Sequence, residues 1–99
     1  MTPTDYNTFL AEDRRLVILR VLAEMPAYRA NSFVLSTLLG QWGHAPSADQ
    51  VKTDLRWLQE QGLLQIEEVQ SVLIATLLTR GADVAAGRAM APGVKRPGA

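Results

Sequence analysis

Between Ser47 and Leu64 the chain reads SADQVKTDLRWLQEQGLL, and Gln50, Lys52, Thr53 and Arg56 place four donor-bearing side chains within about two helical turns. Such a row can address the edges of base pairs. A glutamine amide pairs with adenine, arginine or lysine with guanine, and threonine with a phosphate or the thymine methyl. Ser47 stands where a helix begins, and free N–H groups at a helix start hold a phosphate. Two more cations, Lys95 and Arg96, lie in the proline-framed ending APGVKRPGA, which as an extended arm could follow a groove. That ending could equally be a solubilising terminus or an arm packed on a partner subunit. Asp49 and Asp54 count against the scheme, because they fall among the residues that would meet phosphate. From Ser47 to Gln61 there are two bases and three acids, so the helix could also be a solvated amphipathic one that reads nothing.

Something must hold this helix in place. Thr2-Pro3-Thr4-Asp5 is a helix start, and apolar residues recur at helical spacing from Tyr6 to Met25, where Pro26 ends the run. LVILRVLAEM is apolar nearly all round, which predicts burial on more than one face: in the core, in a subunit interface, or both. AYRANS reads as a connector. SFVLSTLLGQW predicts a second helix with Phe33, Leu35, Leu38, Leu39 and Trp42 as its apolar stripe, and GHAP a turn. Ser47 with Gln50 makes a capping box for the third helix, which buries Val51, Leu55 and Leu58 and stops at Gly62. LLQIEE and SVLIATLL predict a hairpin broken at EEVQS, whose Glu67 and Glu68 would oppose a phosphate backbone. TRGADVAAGRAM predicts a last short helix capped by Thr79, with Val84, Ala85 and Met90 inward. The expected division is a folded domain over residues 1–91 and a flexible basic tail over 92–99.

Ten basic and ten acidic side chains in 99 residues give no net charge, which disfavours broad non-specific nucleic-acid binding. With no cysteine and only His44 among histidines, neither a thiolate site nor a clustered metal site is expected, and no cofactor. Nothing in the chain assembles a nucleophile with its base, a phosphate loop or a convergent carboxylate cluster, so an enzyme is not expected. The beginning lacks the pattern of a signal peptide, and the uncharged apolar run from Val69 to Thr79 is about half a membrane span. A cytoplasmic protein without a membrane partner is expected. Trp42 and Trp57 could stack bases, but beside leucines at helical spacing they are expected in the core. Arg14, Arg15 and Arg20 could touch phosphate or pair with Glu12, Asp13 or Glu24.

The order helix, helix, helix, hairpin, helix is mainly α with a small β-hairpin. Over about residues 10–85 it resembles the winged helix-turn-helix superfamily. SADQVKTDLRWLQEQGLLQI and LLTRGADVA are similar to the recognition helix, wing entry and wing exit of arsenic-repressor-like bacterial regulators, although their metal-sensing cysteines and histidines are missing here. DLRWLQEQGLL together with LTRGADVAAGRAMAPGVKRPGA resembles a small family found in Mu-like transposable phages and prophages, with GR…PGVKRP over residues 87–97 as its most distinctive part. The resemblance implies a phage regulator; the outward face of the third helix and the basic ending add the expectation that it binds double-stranded DNA through Ser47, Gln50, Lys52, Thr53, Arg56, Lys95 and Arg96, and the apolar first helix that it is a homodimer. The rival expectation is a winged helix serving as an interaction or assembly module for a phage or host protein.

Overall fold

The computed structural model describes residues 3–98, and Met1, Thr2 and Ala99 lie outside the described residues. The chain runs α1 (Pro3–Glu24), a short 3₁₀ turn (Pro26–Tyr28), β1 (Arg29–Asn31), α2 (Ser32–Gln41), α3 (Ala48–Glu60), β2 (Leu64–Val69), β3 (Val72–Leu77) and α4 (Thr79–Ala85). It is mainly helical with a small antiparallel sheet of order β1-β3-β2.

The segment Leu16–Leu22 is buried except at Arg20. A helix apolar on nearly every side must be covered on nearly every side. Here the cover comes from the same chain: α1 packs against α2, β3 and α4. The all-round apolar character is thus satisfied within one subunit, and those residues present no face to a second copy. The N-terminal part of α1 differs, with Tyr6 and Phe9 exposed.

Asn31 caps α2 by accepting the Val34 N–H at 2.9 Å. Leu35 and Leu39 of the expected stripe are buried and Leu38 is half-buried, whereas Phe33 is 64% and Trp42 53% exposed. Trp42 is therefore not a core residue. It lies under the Arg20 guanidinium, 5.5 Å from the ring centre. The connector AYRANS contains β1, which pairs Arg29, Ala30 and Asn31 with Thr76, Ala75 and Ile74 of β3. Three residues of mixed character carry no strand pattern of their own; β3 supplies the partner that makes them one.

β2 and β3 form a hairpin in register from Leu64↔Leu77 to Val69↔Val72. Gln70 and Ser71 both hold positive φ, 50° and 69°, as a two-residue primed turn requires. Glu67 and Glu68 accordingly lie within β2 and not in the break between the strands. In β3, Leu73, Ala75 and Leu77 point inward by strict alternation. α4 ends at Ala85 without a side-chain cap from Thr79, which is its first residue, and Met90 is exposed rather than inward.

The ending expected to be a free tail is docked. Ala91 and Val94 belong to the buried core, and the Lys95 N–H donates to the Glu12 carbonyl at 3.2 Å. Gly93 sits at φ +97° against the Trp57 ring, where a Cβ would come within 2.6 Å of two ring carbons. Its carbonyl accepts from Arg15 Nη1 at 3.0 Å. A boundary after residue 91 would cut through this packing.

Candidate nucleic-acid interface

α3 is set by its two ends. Ser47 Oγ accepts the Gln50 N–H at 3.1 Å, and Gln50 Oε1 accepts the Ser47 N–H at 3.0 Å, a complete capping box. The far end stops at Gly62 with φ +75°. The buried side carries Val51, Asp54, Leu55 and Leu58, spaced three and four apart as one helical face requires.

Asp54 was expected to look toward a duplex. It lies instead beneath the helix at 2% exposure. Its carboxylate accepts from Arg14 Nε, from Arg14 Nη2 at 3.3 Å and from Arg15 Nε at 3.4 Å. A buried carboxylate requires such partners, because desolvation of an unpaired charge is prohibitive. Arg14 and Arg15 thus pair with α3 rather than with acids of their own helix. The Arg15 guanidinium also lies over the Trp57 ring, 4.2 Å from its centre. Trp57 is half-buried and covered on that face, so it is not an open stacking platform.

The other sequence-derived site residues divide into two groups. Ser47, Gln50, Thr53 and Arg56 are exposed along α3, and Lys52 is half-buried beside them. Lys52, Thr53, Arg56, Trp57 and Glu60 line a shallow hollow of about 330 Å³. The hairpin engages both of the cations, Lys52 and Arg56. Lys52 Nζ donates to the Ser71 carbonyl at 3.3 Å, and Arg56 Nη2 to Glu68 at 2.8 Å. On the sheet, Glu67 receives Arg29 at 3.3 Å, a pairing that exists because β1 joins the sheet and that has no signal in the local sequence. Gln50 is also engaged, since bidentate pairing to adenine needs the same amide oxygen that closes the capping box.

Lys95 stands apart. Its ammonium contacts Asp13 Oδ1 at 3.3 Å and lies 5.4 Å from the centre of the Phe9 ring. The other oxygen of Asp13 meets His44 Nε2 at 2.7 Å. Burial pushes the Asp13 carboxyl up, but the hydrogen bonds from His44 and Lys95 and their charges outweigh it and hold the group below the ordinary 3.8. His44 is thus a strut between the α2–α3 loop and α1, and no cluster of three or more metal-ligating side chains occurs among the described residues. Arg96 is exposed. No described helix is long and apolar enough to cross a membrane.

Comparison with known proteins places the chain. It is 46% identical over 91 residues to gp26 of Escherichia phage Mu, across 92% of this chain and 94% of that protein. The chain belongs to the phage Mu gp26 family. A Haemophilus influenzae protein is 40% identical over 75 residues, across 76% of this chain and 72% of the relative. No protein-family model matches the chain. The names of these gp26-family relatives state no activity.

Proposed function

We propose that this gp26-family chain is a winged helix-turn-helix protein that binds double-stranded DNA through α3, as a regulator of Mu-like phages or prophages acting in the host cytoplasm. The element order and the β1-β3-β2 sheet with its long hairpin support the winged-helix reading. The observation that carries the DNA reading is the burial of Asp54. With that carboxylate turned inward, the outward side of α3 from Ser47 to Arg56 holds two cations, Lys52 and Arg56, against one acid, Asp49. Its capped N-terminus is the end that would enter a major groove. In this reading Lys95 serves the fold and Arg96 is the tail cation left for phosphate. Pairing of two copies, with their α3 helices about one DNA turn apart, belongs to the same proposal.

The test is titration of labelled duplexes at two salt concentrations. Binding should weaken with salt, since cations on phosphate release counterions. Arg56→Ala should cost on the order of 1–3 kcal/mol on preferred sites and little elsewhere. Absence of binding at low salt would end the DNA reading. A second reading, as a protein-interaction or assembly module, is favoured by α2. This helix contains no ionisable residue and leaves Phe33 and Val34 exposed, a surface more suited to a protein than to a polyanion.

A further inference from the structure

We propose that Glu68 is the residue that makes the α3 surface discriminate between sequences rather than adhere to any duplex. This inference rests on the DNA reading above. Glu67 and Glu68 are consecutive in β2, so their side chains leave the sheet on opposite faces. Glu68 is the one turned to α3, where it meets Arg56 at 2.8 Å, and Glu67 meets Arg29 of β1. The Arg56 and Glu68 side chains are 51% and 53% exposed, so the pair forms at the surface where a duplex would arrive.

Two consequences follow from the chemistry of the pair. A guanidinium carries five N–H donors, and Glu68 engages one nitrogen, Nη2. The remaining donors stay available to the acceptors of a guanine edge, and the carboxylate fixes the direction in which they point. The charge of Arg56 is at the same time offset locally. A guanidinium already beside a carboxylate gains less from phosphate, and Glu68 itself repels phosphate. Lys52 provides the contrast. Its partner is the neutral Ser71 carbonyl, so its full charge remains for the backbone. The surface therefore divides the work: Lys52 attaches, and Arg56 under Glu68 reads.

Glu68→Gln keeps the size and the acceptor oxygen and removes the charge. Glu67→Gln removes the same charge from the opposite face of β2, where it meets Arg29 and not Arg56, and Glu68→Asp keeps the carboxylate. The probes are a random-sequence 20-base-pair duplex, titrated across salt, and a pool of randomised duplexes sequenced after selection. Glu68→Gln should bind the random duplex roughly 3–10-fold tighter at low salt, with the log–log salt slope steeper by about one. Its selected pool should be less enriched in any preferred sequence than that of the wild type, and Glu68→Asp should behave as wild type. An unchanged slope in Glu68→Gln, or an equal response to Glu67→Gln, overturns the role of Glu68 while wild-type binding leaves the DNA reading standing. If neither the wild type nor Glu68→Gln binds at low salt, both readings fall together.

Discussion

Asp54→Asn separates a structural carboxylate from a surface one by magnitude. Asp54 is 2% exposed, and the Arg14 and Arg15 side chains that bind it are 15% and 21% exposed. Removing one member of a buried ion pair costs about 3–5 kcal/mol, because the charge left behind is uncompensated. Both arginines reach water in part and regain some solvation, which places the expected loss at the lower end, about 3 kcal/mol. For a domain of this size that corresponds to a fall in Tm of roughly 12–24 °C. In urea, with a slope in the range of about 1–3 kcal/mol per molar, the midpoint should move down by roughly 1–3 M. The assay is urea unfolding followed by far-UV circular dichroism, with the slope checked for constancy. Asp49→Asn is the comparison: Asp49 is exposed in the first turn of α3, and its loss should cost no more than about 1 kcal/mol through the helix dipole. An Asp54→Asn loss below about 0.5 kcal/mol, the range of ordinary surface substitutions, would refute the buried network.

Gly93→Ala should destabilise by about 2 kcal/mol or more, since it adds a methyl at positive φ against the Trp57 ring; unchanged thermal unfolding and unchanged Trp57 fluorescence would refute the docking of the C-terminal segment. Asp13 sets an acid limb. Its folded-state pKa lies below the ordinary 3.8, so its contribution is complete above that pH and is lost as pH falls through the depressed folded value. Asp13→Asn should therefore flatten the decline of stability in that acid window, and an identical pH profile for the variant would contradict the His44–Asp13–Lys95 arrangement.

The elements that the sequence announced most clearly carry their own signals. Ser47 and Gln50 mark the start of α3, Gly62 its end, and alternation marks β3. Asp54 had the right spacing to be recognised, three residues after Val51 and four before Leu58. Its charge argued for the outside, and its partners lie about forty residues earlier in Arg14 and Arg15. Charge is local information, whereas the pairing that tolerates it is tertiary. The ending misled for the same reason. Pro, Gly and two cations read as a solvated arm, and two buried residues, Ala91 and Val94, are too few to leave a periodic trace. β1 is a strand by virtue of its neighbour alone, and Glu67 and Glu68 are in β2 because the turn falls at Gln70-Ser71. Of the site residues, those on α3 could be grouped from helical spacing. Their hairpin partners could not, because those contacts depend on how the sheet meets the helix.

The contact between Arg15 and Gly93 has a kinetic meaning. It joins residues 78 positions apart, whereas the β2–β3 hairpin can close locally. Long closures are the entropically expensive ones and tend to follow the local elements in folding. Interactions absent from the transition state act on the unfolding rate and leave the folding rate nearly unchanged. The C-terminal clasp on α1 and Trp57 is thus an element of persistence: weakened, it would leave the chain folding as fast as before while shortening the time each molecule stays folded.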